Sequence, residues 1–310
     1  MGNFCDCCGV RAKGPEGFPE YGSGGSANCG FALARNDRAK MEDAVVIHQD
    51  VGGHTCAAVF DGHGGDKAAK LAKELLPQKL DHHLRLASDK KKAIDDAFQA
   101  VESCMKPQLA DEASLSPSGT SSGTVACVAL LQEKELVFVN LGDCRAVICD
   151  GAKVSTKTLD HSPEKNSGEK YRLQQLGVSI EGGYVDGKVQ VSRALGDIES
   201  RTGDKINGLI CRPEVTVVAV KDSTEFVVLA TDGIWDALQE QTVLTTARKV
   251  LRESRSSEAA AQAVLESAGR VSKADNAAVI VLAINIPEPP PKREPGQIGQ
   301  FRLKLGSKTE

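Results

Sequence analysis

The sequence predicts an α+β layered fold in which antiparallel sheets are covered by helices. Three observations point there. Eight short runs rich in Val, Ala and Cys read as strands, and several are apolar throughout, as suits strands buried on both faces. Segments of helical period fall in adjacent pairs between groups of strands, without strict βαβα alternation. Two turns, Gly52-Gly53 in "QDVGGHT" and Asp150-Gly151 in "CDGAK", are hairpin signals that join neighbouring strands antiparallel.

In chain order the strand runs are "AVVIH", "TCAAVF", "GTVACVALL", "ELVFVNL", "CRAVIC", "EVTVVAV", "EFVVLAT" and "AAVIVLAI". The spacing i, i+3, i+4, i+7, i+8 is met by Ala68, Leu71, Ala72, Leu75 and Leu76. Ile94, Ala97, Phe98 and Val101 follow it too, as do Val243, Leu244, Ala247, Val250 and Leu251. A helix over "EKYRLQQLG" is expected to stop at Gly177, glycine being the common residue just past a helix end. Residues 1–25, rich in Gly, Pro and Cys and without period, read as a flexible arm. Residues 26–286 form the expected folded unit, and 287–310, opening in a Pro cluster and continuing polar and basic, read as a disordered tail.

Composition narrows the function. With 41% hydrophobic residues in 310, the chain can bury a real core. A net charge of −4 and 4% aromatics offer neither the basic footprint nor the stacking surface of a nucleic-acid binder. Cys56, Cys127 and Cys149 sit inside apolar runs, where a reduced thiol behaves as a small hydrophobe. No secretory leader pattern and no membrane-spanning run is visible, so a reducing, cytoplasmic setting and a monomer are expected.

Acids gather at strand ends. "MEDAVVIHQDVGGHTCAAVFDGH" reads as a hairpin about Gly52-Gly53, which places Glu42 opposite the stretch Asp61–His63, with Arg38 a short step before. "EFVVLATDG" ends a strand at Asp232 and "KADNAAVIVLAI" begins one at Asp275; as antiparallel neighbours these two would share an edge. Asp143, in "NLGDCRAV", again follows a buried strand. One Asp-Gly is more often a turn than a ligand, but several acids bounding apolar strands are hard to put down to chance. Clustered carboxylates repel unless cations join them, and oxygen-only donors suit Mg²⁺ or Mn²⁺ rather than Zn²⁺. His48, His54, His82, His83 and His161 lack an acid–glycine context and are expected on the surface or on helix faces.

The ordered stretches "RAKMEDA", "VFDGHGG", "SSGTVA", "NLGDCRAVI", "DHSP", "EKYRLQQLG", "VSRALGD", "ATDGIWDAL" and "KADNAAVIVL" resemble the protein phosphatase 2C (PP2C) family over about residues 30–286. The resemblance implies a four-layer αββα sandwich, two central antiparallel β-sheets flanked by pairs of helices. It implies hydrolysis of phosphoserine and phosphothreonine in phosphoprotein substrates by a hydroxide bridging two Mg²⁺ or Mn²⁺ ions. By matching motifs, Asp61 would bridge the two ions, Asp232 and Asp275 would complete one site, and Glu42 with the Gly62 carbonyl the other. Asp143 with Asp232 would offer a weaker third site, and Asp43 and Asn276 would support the ligands from behind. Arg38 matches the arginine that grips the substrate phosphate, and His63 the proton donor to the leaving alkoxide. Lys40 stands where many relatives carry an acid and Cys144 where Ser is usual, and "IESRTGDKINGLI" corresponds to the variable flap.

Two rivals can be weighed on residues alone. A cysteine phosphatase needs C-x5-R, found at Cys5–Arg11 and Cys29–Arg35, but "CGFALAR" presents an apolar loop where free N–H groups are required. A catalytically weak scaffold of the same family would be favoured by loss of a ligand, and all five side-chain positions are acidic. At the N-terminus, Gly2 with Cys5, Cys7 and Cys8 reads as a site for myristate and palmitate, the two signals that peripheral attachment to the cytoplasmic face of a membrane requires. Asp6 stands where the myristoylation pattern has Ser or Thr.

Overall fold

The computed structural model describes residues 21–26 and 28–288. Gly2, Cys5, Cys7 and Cys8, read from the sequence as candidates for acylation, and the tail from 289 onward lie outside them. In chain order come β1 (Tyr21–Ser26), β2 (Cys29–Ala34), β3 (Ala44–Val51), β4 (His54–His63), α1 (Lys67–Leu86) and α2 (Lys90–Leu115). Then follow β5 (Gly123–Gln132), β6 (Glu135–Leu141), β7 (Arg145–Asp150), β8 (Lys153–Lys157), α3 (Ser167–Gln175), β9 (Ile180–Glu181), β10 (Tyr184–Val185) and β11 (Leu195–Gly196). The chain continues through β12 (Glu214–Ala219), β13 (Thr224–Ala230), α4 (Asp232–Trp235), α5 (Glu240–Ser254), α6 (Ser257–Val271) and β14 (Ala277–Ala283).

Among the described residues two large antiparallel sheets form. One runs β1-β2-β14-β13-β7-β8, the other β12-β6-β5-β4-β3, with β11 added against β5. The central strands, such as β5, β13 and β14, are apolar almost throughout because each is packed on both faces. In β5, Val125, Cys127 and Ala129 point between the sheets while Ala126, Val128 and Leu130 meet α1 and α2. In β13, Val227 and Leu229 point between the sheets while Phe226, Val228 and Ala230 meet the layer of α5 and α6. The result is a four-layer αββα sandwich with three apolar interfaces, in which burial of each large side chain contributes about 1.5–3 kcal/mol.

Turns and caps set the boundaries. Gly52 and Gly53 have φ of 60° and 83°, and Gly151 and Ala152 have φ of 56° and 70°, the paired positive values of tight hairpins. Asp89 and Ser256 cap α2 and α6 by accepting from the N–H groups of Lys92 and Ala259 at 3.1 Å.

Some expectations are revised. Tyr21–Ser26, inside or at the edge of the stretch read as an arm, is a strand, because β1 pairs residue by residue with β2 from Tyr21↔Ala34 to Ser26↔Cys29. "CGFALA" is this β2, not a loop, and it is buried between β1 and β14. His54 and His161 are buried, not on the surface. His54 Nδ1 lies 2.9 Å from the Gly52 carbonyl inside the hairpin, and His161 Nδ1 accepts the Gly142 N–H at 3.1 Å.

Gly30 has a packing role that no turn signal reveals. A Cβ there would stand 2.1 Å from the Glu258 backbone nitrogen, at the start of α6. Gly30→Ala should push α6 off the sheet and cost about 1–3 kcal/mol, read as a lower urea midpoint. An unchanged midpoint would contradict this contact.

Candidate active site

The site is made where the two sheets present strand ends to one another. In the β3–β4 hairpin Ala44 pairs with Phe60 and His48 with Cys56, which sets Glu42 level with Gly62. The two backbones touch there: a Cβ on Gly62 would lie 2.6 Å from the Glu42 carbonyl oxygen, so glycine is required. Asp61 follows Val59 by two residues and so continues the face that looks across at the other sheet. On that sheet Ala230 pairs with Val279, bringing Asp232, just past β13, and Asp275, just before β14, to the same edge. Asp143 lies in the link from β6 to β7, where the chain crosses from one sheet to the other.

A cavity of about 350 Å³ opens between these edges, and Arg38, Glu42, Asp61, Gly62, His63, Asp143, Asp232 and Asp275 all line it. Behind it, Asn276 accepts the Glu42 N–H at 2.7 Å and donates to the carbonyls of Arg35 and Lys40 at 2.8 and 3.0 Å, tying down the "RAKMED" loop. The fully buried Asp43 accepts the Thr231 hydroxyl at 2.9 Å, and Thr231 in turn accepts the Ala278 N–H at 2.9 Å. That chain bolts one sheet edge to the other. Arg38 donates to Asp275 at 2.5 Å and to the Ala274 carbonyl at 3.1 Å, with its side chain half exposed at the rim.

One cavity residue was missed in the sequence. Asp197, from "VSRALGD", lies 2.8 Å from Nε2 of His63. Its signal was there, since Gly196-Asp197 repeats the acid–glycine context that marks Asp61, Asp143 and Asp232. The same stretch is anchored by Glu169, which accepts from Arg172, Arg193 and Ser192 at 2.9, 2.7 and 2.6 Å. Burial opposes the charge on Glu169, but these donors pull its pKa down to about 2.

The protein phosphatase 2C family profile matches residues 21–277. The chain belongs to the protein phosphatase 2C family. It is 30% identical over 271 residues to probable protein phosphatase 2C 22 of Arabidopsis thaliana, covering 82% of this chain and 67% of that one. It is 34% identical over 276 residues to probable protein phosphatase 2C 59 of Oryza sativa subsp. japonica, covering 86% and 80%. The fold is also that of the crystal structure of serine-threonine phosphatase 2C from Toxoplasma gondii, with a TM-score of 0.68 at 21% identity over 89% of this chain and 98% of that one. The protein is a serine/threonine phosphatase.

Electrostatics show what this phosphatase must offset. Burial, then Asp232, Asp43, Asp143 and Asp275 in turn, push the Asp61 carboxyl well above its usual range. Burial, then Asp143 and Asp275, raise Asp232 to about 7, against an ordinary 3.8. Burial and then Asp160 raise Asp143; burial raises Glu42 against the pull of Lys40 and Arg38. For His63, burial works against the charge, but the Asp197 carboxylate outweighs it and the pKa is raised. Among the described residues no three acid, His or Cys side chains close on a single point; the carboxylates stand around the cavity wall. An all-oxygen donor set with uncompensated repulsion is one that Mg²⁺ or Mn²⁺ fits. Of the two departures, Lys40 is exposed beside the cavity, while Cys144 is fully buried between the sheets and leaves the cavity wall unchanged.

A pH dependence follows. Asp232 binds its proton more tightly folded than unfolded, so its contribution to stability is full below about pH 4 and is lost as pH rises through about 7. In EDTA the stability should therefore fall by on the order of a few kcal/mol between about pH 5 and about pH 8, read as a falling Tm. Asp232→Asn should flatten that fall, and Mn²⁺ should raise Tm more at the higher pH. A Tm in EDTA that ignores pH in both proteins would overturn this account.

Proposed function

We propose that the cavity hydrolyses phosphoserine and phosphothreonine monoesters of phosphoproteins with the help of two Mg²⁺ or Mn²⁺ ions. The observation that carries this is the meeting, at one cavity, of acids from both sheets with an arginine and a histidine. Glu42, Asp61 and the Gly62 carbonyl would hold one ion; Asp61, Asp232 and Asp275 the other; Asp143 with Asp232 a weaker third. Bound there, such ions supply an activated water and neutralise phosphoryl oxygens.

The chain's own residues do the rest. Left to themselves, the acidic walls would repel a phosphate dianion, so substrate entry depends on their being neutralised. Arg38 sits at the rim with its guanidinium on Asp275; turned to the substrate, it can hold two phosphoryl oxygens in a bidentate grip. Asn276 and Asp43 keep the Glu42 loop and the two sheet edges in register, so that the donors stay where the phosphoryl group arrives. His63, 32% exposed to the cavity, holds a proton for the departing Ser or Thr oxygen, which is a poor leaving group as a bare alkoxide.

Asp61→Asn and Asp232→Asn should each lower Mn²⁺-dependent turnover of a phosphothreonine peptide by on the order of 10²-fold. Arg38→Ala should raise KM more than it lowers kcat. EDTA should abolish activity, and Mn²⁺ should restore it. Variants as active as the wild type, or activity indifferent to EDTA, would mean that the acids serve another purpose, such as a weakly catalytic scaffold.

A further inference from the structure

Asp197 has no role in the proposed reaction so far, yet its neighbours are shaped to hold it. Its backbone is left-handed, φ 57°, a conformation that L side chains adopt at a cost. Its carboxylate is buried, and Oδ2 has no hydrogen-bond partner among the described residues, a costly state for a charged group. Opposite it, Gly123 leaves the space it occupies: a Cβ at Gly123 would lie 2.3 Å from Oδ2. The turn before it is clamped from two sides. Glu102 of α2 accepts the Gly196 N–H at 2.9 Å, Lys205 of the flap donates to the Gly196 carbonyl, and Lys205 pairs with Glu102 at 2.9 Å. The one described hydrogen bond of the Asp197 carboxylate is that of Oδ1 with His63 Nε2, at 2.8 Å. A residue that only stabilised the fold would not need a charge left half unpaired at the cavity wall.

We propose that Asp197 is a positioning residue for the phosphatase reaction: it accepts the Nε2–H of His63 and so turns Nδ1–H toward the leaving oxygen of the substrate. This rests on the reading of His63 as the proton donor. As the P–O bond breaks, the electron pair stays on the Ser or Thr oxygen, which takes the Nδ1 proton. The ring is left neutral with its remaining proton on Nε2, still held by Asp197. A water oxygen forms the new bond to phosphorus and its proton passes to solvent, and solvent returns a proton to Nδ1.

The test uses leaving-group dependence in the Mn²⁺-loaded enzyme. A phosphothreonine peptide needs a proton on its leaving oxygen; p-nitrophenyl phosphate does not. The readout is the ratio of kcat on the first to kcat on the second, for wild type, His63→Gln, Asp197→Asn and the double variant. His63→Gln should lower the ratio by about 10-fold or more. Asp197→Asn should lower it by a similar factor, with the double variant no lower than His63→Gln alone. If His63→Gln leaves the ratio at the wild-type value, the reading of His63 as proton donor fails. If it lowers the ratio but Asp197→Asn does not, or if the two effects multiply, the role given to Asp197 fails. Should Asp197→Asn not fold, ¹⁵N NMR of the wild-type Mg²⁺ enzyme decides. A neutral His63 protonated at Nε2 supports the proposal, and one protonated at Nδ1 overturns it.

Discussion

Carboxylates from two sheets are forced toward one another at the mouth of the sandwich, and most of the structure can be understood as what holds them there. Burial and mutual repulsion both act to protonate Asp61 and Asp232 or drive them apart. Opposing this is the apolar interface between the sheets, where Phe31, Val59, Phe138 and Ile280 lock the spacing. At the site itself the Asp43–Thr231–Ala278 chain adds a polar bolt. A slip of one residue in β4 would turn Asp61 to the helix face and Phe60 to the inter-sheet face. Register is therefore set by core packing, and the site inherits it.

Around that centre the flap buries Ile198, Ile206 and Leu209 in the core, and ion pairs and hydrogen bonds fix its edges and the stretch before it. Glu169 gathers Arg172, Arg193 and Ser192, and Glu102 with Lys205 clamps the Gly196–Asp197 turn onto α2. Such partly buried pairs add little net stability but punish misplacement, because each leaves a charge stranded if broken. This suits a segment whose side chains must reach the cavity from far along the chain.

Six of the seven described cysteines are buried and belong to packing. Cys29, at the head of one C-x5-R spacing, is buried in β2 and its thiol is pushed up to about 12, chiefly by burial. A thiolate nucleophile needs the opposite environment. Cys56, Cys127 and Cys149 are likewise buried in strands, each with its thiol raised by burial.

By itself the sequence determined the eight apolar strands, the three long periodic helices and the hairpin at Gly52-Gly53, because period and turn chemistry are written among near neighbours. The acid–glycine strand ends, and with them Asp61, Asp143, Asp232 and Asp275, were legible for the same reason. What the tertiary structure decided is non-local. β1, "YGSGGS", has no apolar pattern and is a strand because β2 pairs with it. Gly30 must be glycine because α6 arrives against it from more than two hundred residues away in the chain. Asp197 meets His63 across 134 positions, through a left-handed turn and a gap left by Gly123. No local propensity encodes such meetings; they exist because two sheets and their helices pack in one register, which brings distant strand ends to a common edge.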